Sequence, residues 1–489
     1  MQPENQLIQQ RIDKLKLLRE KKINPYAYRY DTKNSTNEIL EKFKKLKKEQ
    51  KTSSKVKIAG RITNIRKMGK TIFGHVQDFT GKIQIYSKED TLKKEQYNLF
   101  KKLDLGDIIG IEGTIFSTKT GEITIQVKKF ELLTKSLKPL PEKYHGLQDQ
   151  ELRLRKRYLD LISNPENKEI FIKKNIFWKT MRNFLEEQKF IEVETPILEN
   201  TTGGADAEPF VTHYNALDVD AYLRISCGEL WQKRLMVGGF EKTFEIGRQF
   251  RNEGVSMEHL QDYTQMEFYW AYADYDDCMK LVEKMFKLVA KNVLGTLKFE
   301  SHGFKMDLNK KWPRIEYVKE IKKQTGVDVL KASKEQIQKK LSKLKVRYEK
   351  NLEKGRLMDL LWKTCRKKLA GPAFIINQPV EVSPLAKRHR KNPELTERFF
   401  VLMAGSEMAN GYTELNDPID QENRFKEQTK MRGQGDTEAQ MYDKDFVDAL
   451  MYGMPPTTGF GVSERFFAYL LDKPIRECVL FPFMKPEED

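Results

Sequence analysis

Cysteine is scarce in this chain. There are four in 489 residues (Cys227, Cys278, Cys365 and Cys478), and no two have CxxC spacing. That pattern argues against a disulfide framework and against a cysteine-bound zinc site, and it fits free thiols in a reducing compartment. No uninterrupted apolar run approaches the roughly 20 residues of a membrane helix. The opening MQPENQLIQQ also lacks an apolar signal core. The expectation is a cytoplasmic protein with no membrane partner. Acidic residues are outnumbered, 71 against 88 basic, for a formal net charge of +17. Such an excess attracts polyanions through counterion release and long-range steering, although a generally lysine-rich proteome would show it too. With 39% hydrophobic and 33% charged residues the chain reads as globular, and its length leaves room for two to four domains.

The first fifty residues read as basic and helical, with Leu7, Ile8, Ile12, Leu15 and Leu18 on one stripe, ending in the linker-like TSSK. From Val56 the apolar period changes to two. VKIAGRITNI, GHVQDFTGKIQIY, GDIIGIEGTIF and GEITIQVKKFELL are punctuated by turns at Thr80-Gly81 and Thr120-Gly121. Four or five short strands beside a basic helix predict a five-stranded oligonucleotide-binding barrel; by pattern alone a barrel used only for packing fits equally. The expected domains are a helical extension over 1–54, the barrel over 55–135 and a charged hinge over 136–165. An α+β domain follows over 166–489, with a lysine-rich helical insertion at about 300–370. FIEVETPIL reads as an edge or interface strand, since Pro196 cannot donate to a ladder.

TFEIGRQFRNEG ends a buried alternation with Arg248, Arg251 and Glu253 together. Alone, a charged strand end is a solvated loop. Its continuation, VSMEHLQDYTQMEFYWAYADY, forms a hairpin loop that also holds His259 and Tyr263. A guanidinium grips phosphate bidentately, an aromatic ring stacks a base and a carboxylate accepts from an exocyclic amine, so this loop has the parts a nucleoside triphosphate needs. Near the C-terminus TTGFGVSERF sets Arg465 behind Gly459, Gly461 and Ser463. A second arginine there would complete a phosphate clamp.

In order, FIEVETPIL, FEIGRQFRNEG and GFGVSERF resemble the three motifs of class II aminoacyl-tRNA synthetases. The whole chain resembles the class II lysyl-tRNA synthetases, through REKKINPYAYRY, KYHGLQDQELRLRKRYLDLI, PFVTHYNALDVDAYLRIS, VSPLAKRHR and NGYTELNDP. The resemblance implies an anticodon-binding barrel and an antiparallel-sheet catalytic domain flanked by helices, dimeric through motif 1. The implied activity joins lysine to ATP as lysyl-adenylate and passes the lysyl group to tRNA-Lys. By resemblance, Arg251 and Arg465 clamp the phosphates, Glu253 and Tyr263 seat adenine, His259 lies near the phosphates, and Glu407 holds Mg²⁺. The lysine pocket so implied comprises Gly203 or Gly204, Glu229, Glu267, Tyr269, Asn410, Tyr412 and Glu414. In the barrel, Phe73 would stack on an anticodon base and Gln84 would hydrogen-bond one.

Four departures stand out. Ser226-Cys227-Gly228 is one residue longer than the family loop. Leu260 replaces an asparagine, motif 3 is one residue short with Ser463 at a customary glycine, and Phe400 stands seven residues before Glu407 where the family has a metal-binding acid. One carboxylate can still hold Mg²⁺, which keeps waters and takes phosphate oxygens. An aspartyl or asparaginyl enzyme is disfavoured by the pocket's glutamates, and a protein-lysyl transferase by the barrel. A non-catalytic RNA-binding paralogue is disfavoured by the retained ATP clamp.

Overall fold

The computed structural model describes residues 3–141, 147–254, 256–349 and 352–487. It divides into two compact units, Met1–Gln148 and Asp149–Asp489. The division falls inside the stretch expected as a hinge, so the charged helical part of that stretch belongs to the second unit.

In the first unit, α1 (Pro3–Glu20) and α2 (Thr36–Phe43) precede β1 (Lys51–Met68), β2 (Thr71–Gln77) and β3 (Lys82–Lys88). Then come α3 (Lys94–Phe100), β4 (Ile108–Ser117) and β5 (Ile123–Thr134). The five strands close into a barrel in the order β1-β2-β3-β5-β4. Period-two alternation drives the closure, because Ile58, Ile62, Ile72, Val76, Ile85, Ile111 and Ile125 all point inward and are buried. TSSK, expected as a linker, is instead part of β1. Its own Lys55 pairs with Thr114 of β4 and the preceding Lys51 with Phe116, and the Thr52 hydroxyl donates to Ile115 O at 3.1 Å. A ladder is made by backbone groups, so an apolar pattern is not needed to extend it. On α1 the expected stripe is only partly covered: Leu15 is buried while Leu7 is exposed.

The second unit opens with α4 (Gln150–Arg155), α5 (Arg157–Ser163) and α6 (Lys168–Glu187). Asp160, fully buried, binds Arg153 at 3.0 Å and Arg157 at 2.8 Å, which explains how so charged a segment is packed. FIEVETPIL is two short strands, β6 (Ile191–Glu192) and β7 (Leu198–Glu199), separated around Pro196. Next come β8 (Val211–Tyr214), β9 (Val219–Leu223), α7 (Glu229–Val237), β10 (Lys242–Phe250), β11 (Asp262–Ala271) and α8 (Tyr275–Leu294). The hairpin β12 (Lys298–Ser301) with β13 (Phe304–Asp307) leads to β14 (Arg314–Glu316). Three helices follow: α9 (Tyr317–Thr325), α10 (Lys334–Lys343) and α11 (Lys354–Arg366). The chain closes with β15 (Ala373–Ile376), β16 (Arg388–His389), β17 (Asn392–Thr396), β18 (Arg398–Met403), β19 (Ser406–Thr413), α12 (Pro418–Gly433), α13 (Lys444–Met451), β20 (Thr457–Ser463) and α14 (Arg465–Leu470).

Eight strands form one sheet, β14-β15-β18-β19-β20-β11-β10-β6, antiparallel except for the outer pairs β14/β15 and β10/β6. The two faces differ by one residue of alternation. Phe244, Met266, Phe268, Phe399, Phe460 and Val462 pack against α6, α8 and α14 in the largest core. Phe286 of α8 stacks on Phe466 at 4.1 Å and anchors that layer. The other face of the sheet carries polar side chains. A separate small sheet, β7-β9-β8, leaves Leu198, Val211, Tyr214 and Val219 exposed, with Ile191 and Ile197 also exposed.

Candidate active site

The polar face of the central strands is the floor of one cavity of about 450 Å³. Register puts its groups in rows. Glu267 and Tyr269 of β11 stand opposite Gly461 and Gly459 of β20, which stand opposite Asn410 and Tyr412 of β19. The glycines keep the middle of the floor low. A Cβ on Gly459 would lie 2.2 Å from Glu414 Oε1 and 2.5 Å from the Tyr269 ring.

At one end the β10–β11 hairpin and the start of α14 bring two arginines into the cavity. Arg251 Nε donates to Ile225 O at 3.3 Å, and its guanidinium carbon lies 5.7 Å from the Tyr263 ring centre. Arg465 donates to Glu258 O at 3.2 Å and to Glu407 O at 3.1 Å. Among the described residues neither guanidinium has an ion-pair partner, so both charges are held in place by backbone carbonyls and remain uncommitted. Glu253, His259 and Tyr263 line the same end. Burial, reinforced by Arg465, lowers the His259 imidazole to about 4, so it is neutral at pH 7. His259 Nδ1 shares a 2.8 Å hydrogen bond with Ser256 Oγ.

At the other end three carboxylates are buried together. Glu267 accepts from the backbone N–H of Cys227 at 2.9 Å and from the Tyr269 hydroxyl at 3.2 Å. Glu229, the first residue of α7, accepts from the Tyr412 hydroxyl. Glu414 lies just behind the lining, and its Oε1 has no hydrogen-bond donor. Lys233, one turn along α7, is fully buried between two of them, 2.7 Å from Glu229 and 2.5 Å from Glu414. Burial works against the Lys233 charge, but the two glutamates outweigh it and hold its pKa above the ordinary value. Burial pushes the Glu267 carboxyl up to about 7, with the Glu229 charge adding to the rise. Burial likewise raises Glu414, to about 8, although Lys233 pulls against it. When all three are ionised, three carboxylates against one ammonium leave two negative charges, and a free lysine carries two ammonium groups.

A family model described as tRNA synthetases class II (D, K and N) matches residues 149–485, and one described as an OB-fold nucleic acid binding domain matches residues 56–133. The lysine–tRNA ligase of Carboxydothermus hydrogenoformans is 47% identical over 99% of each chain. That of Thermotoga maritima is 48% identical over 98% of this chain and 96% of its own. The Thermosipho africanus lysine–tRNA ligase is 45% identical over 98% and 96%. The chain belongs to the class II lysine–tRNA ligase family.

The family departures now have physical settings. The extra residue of Ser226-Cys227-Gly228 is taken up by a left-handed turn at Gly228 (φ 73°), where a Cβ would lie 2.1 Å from Thr195. That turn supplies the Cys227 N–H to Glu267, and Ser226 Oγ donates to Gly203 O at 3.0 Å. Gly204 lines the cavity, whereas Gly203 sits behind it, against Leu230. Leu260 belongs to the apolar core. Ser463 Oγ accepts from Arg465 N at 3.3 Å, so the short motif 3 still delivers its arginine to the cavity. Phe400 is packed into the core of the helical insertion and lies under the Arg398 guanidinium at 4.8 Å.

Several cavity groups escaped the sequence reading. Trp362 Nε1 donates to Glu407 Oε1 at 2.5 Å, and Asp359, three residues earlier on α11, lines the same wall. Arg398 Nε donates to Asn410 Oδ1 at 2.9 Å and so orients a pocket residue. Lys233 was also overlooked. Its four-residue spacing from Glu229 on a helix was the available signal.

On the barrel, Phe73 lies outside the apolar core and packs on Tyr86 at 4.8 Å, which in turn meets Phe116 at 5.7 Å. Gln84 donates to Glu122 at 2.7 Å and accepts from Thr124 at 2.8 Å, which leaves one amide hydrogen free. His75 Nε2 is 2.9 Å from the other Glu122 oxygen.

Two outcomes follow from the carboxylate cluster. A carboxyl must be ionised to pair with an ammonium, and these two have raised values, so the paired state is lost as pH falls through them. The KM for lysine is expected to rise several-fold between about pH 8.5 and about pH 6, while the KM for ATP stays flat; a flat lysine profile would contradict the pocket electrostatics. Lys233→Met leaves buried carboxylates uncompensated and is expected to cost about 3–5 kcal/mol in urea unfolding. Adding Glu414→Gln to that variant is expected to restore part of the loss; no recovery would mean the ion pair is not the cause.

Proposed function

We propose the following division of labour for a reaction that family membership itself defines, the charging of tRNA with lysine for translation. Lysine enters the carboxylate end of the cavity with its ammonium groups shared among Glu229, Glu267 and Glu414. Tyr269, Tyr412 and Asn410 orient its chain, and Gly204 leaves room over the α-amino end. Glu253 and Tyr263 seat the adenine of ATP, Arg251 holds the α-phosphate and Arg465 the γ-phosphate, with neutral His259 beside them. A lysine carboxylate oxygen attacks the α-phosphorus while the bond to the bridging oxygen of pyrophosphate breaks. The carboxylate is already the nucleophile, so no side-chain base is required, and the two arginines stabilise the charge that develops on phosphate oxygens. The ribose hydroxyl at the 3′ end of tRNA-Lys then attacks the lysyl carbonyl and AMP leaves. The observation that carries this reading is the pair of uncommitted guanidiniums facing a carboxylate-lined pocket in one cavity.

Mg²⁺ fits as an ion carried mainly by phosphate. Among the described residues no group of three or more metal-ligating side chains converges, and Glu407 with Asp359 offers two carboxylates on one wall. When bound, the ion would neutralise phosphate charge. In the barrel, Phe73 is proposed to stack on an anticodon base, and the free amide hydrogen of Gln84 to reach another. We assign the extension, a barrel beginning at Lys51, a hinge that ends at Gln148 and a catalytic domain that begins at Asp149, and place the protein in the cytoplasm, where its four buried free cysteines fit.

A second copy of the chain is the proposed cover for the exposed apolar face of the β7-β9-β8 sheet. Light scattering is expected to give twice the 57.5 kDa chain mass, and Val211→Glu to lower it towards one chain at micromolar concentration. A wild-type monomer there would rule the dimer out.

The activity test is ATP–pyrophosphate exchange with each standard amino acid and ornithine. Exchange is expected with lysine and to require Mg²⁺. Ornithine, one methylene shorter, is expected to be about 10- to 200-fold poorer. Arg251→Ala and Arg465→Ala should each lower exchange by roughly 100-fold or more. Exchange supported by another amino acid, or by none, would defeat the assignment.

A further inference from the structure

Two neighbouring helices of the insertion have similar lysine content and opposite charge environments. On α9, Lys319, Lys322 and Lys323 each have an acid, Glu316 at 2.7 Å, Asp328 at 3.2 Å and Glu320 at 3.5 Å. On α10, Ile337 and Leu341 are buried against Leu357, Leu361 and Trp362, which turns Lys339 and Lys343 outward. Lys345 and Arg347 follow, also exposed. Among the described residues none of these four cations has an ion-pair partner. Helix dipoles favour cations in a last turn, but they do not account for Lys345 and Arg347 beyond the helix or for the lack of counter-charge.

Further cations lead towards the cavity; Lys363, the first of them, has Asp359 at 3.9 Å, whereas among the described residues Lys367 and Lys368 have no ion-pair partner. Lys363 of α11 lines the cavity wall, and Lys367 stands four residues on, exposed and beside the exposed Lys368. Like charges at that spacing cost helix stability rather than adding to it. Lys340 of α10 and Lys368 flank one thiol: burial raises Cys365 to about 11, and both cations act against that rise. α10 packs on α11 through Ile337 and Leu341, and α11 reaches the cavity at Lys363, so we treat the exposed cations of the two helices as one basic ridge.

We propose that this ridge, Lys339, Lys343, Lys345 and Arg347 with Lys367 and Lys368, is a phosphate-backbone track for the acceptor stem of tRNA, leading its 3′ end to the cavity. The inference rests on the tRNA-charging function. Of the reactants, only tRNA is a polyanion long enough to lie along the ridge. Backbone contacts of this kind position a nucleic acid without reading its sequence, and each contributes salt dependence.

The experiment measures binding of a tRNA acceptor-stem minihelix, which lacks the anticodon, by fluorescence anisotropy from about 50 to about 300 mM salt. The full chain and the variant Lys339→Gln/Lys343→Gln/Lys345→Gln are compared. The variant is expected to bind roughly tenfold more weakly at about 100 mM salt, and its slope of log affinity against log salt should fall by about two to three. A Lys367→Gln/Lys368→Gln variant should lower the slope by about one to two. A matched variant on α9, Lys319→Gln/Lys322→Gln/Lys323→Gln, removes the same charge and should leave the slope unchanged. An unaltered slope in the α10 variant, or an equal change in the α9 variant, would overturn the proposal. Lysine-dependent exchange, which involves no tRNA, reports separately on fold and on the charging function, so loss of the function assignment cannot be confused with loss of the ridge.

Discussion

Carboxylates lose more by leaving water than almost any other side chain, and this catalytic unit buries three of them within reach of one another. They remain together because Lys233 is buried with them and because hydroxyl and backbone donors are aimed at their oxygens. Much of the surrounding architecture serves that arrangement. α7 starts at Glu229, just after Gly228, so that Glu229 and Lys233 fall on one helical face. β19 ends so that Glu414 follows Tyr412 and Thr413 into the protein. With all three ionised, two negative charges are left over, which the proposed lysine ligand would offset with its two ammonium groups.

Sheet register provides the second constraint. In β11 the odd-numbered residues Gln265, Glu267 and Tyr269 face the cavity, while Met266 and Phe268 face the core. A slip of one residue would exchange those faces, so the aromatic packing that stabilises the sheet also fixes which side chains meet the substrates. β20 contributes glycines to the floor and then Arg465 from the turn beyond it. Arg251, Glu267 and Arg465 thus stand on or just beyond adjacent strands of one sheet.

Two of the four departures, Phe400 and the loop at Ser226-Cys227-Gly228, are absorbed by neighbours. Phe400 joins the insertion core, where its ring packs beneath Arg398, and Trp362 takes up the hydrogen bond to Glu407. The longer loop at Ser226-Cys227-Gly228 becomes a donor to Glu267 instead of a disruption.

Alternation of apolar residues was enough to indicate the barrel, the hairpin carrying Arg251 and the amphipathic helices, because burial of a face is a local, periodic demand. Arg251, Glu253 and Arg465 stood out as the parts a triphosphate needs and Glu267 through resemblance to the family, and the structure brings all four to one cavity. The strand pairing of TSSK was not legible, because backbone hydrogen bonds leave no side-chain pattern, and FIEVETPIL looked like one strand until Pro196 divided its pairing. Lys233 against Glu414, Trp362 against Glu407 and Arg398 against Asn410 depend on residues 12 to 181 positions apart. Local patterns in the sequence therefore determined the elements and the chemical types of the site groups. Only the tertiary structure decided which charges are paired and which remain free for substrates, because Coulombic pairing depends on distances in space that spacing along the chain does not encode.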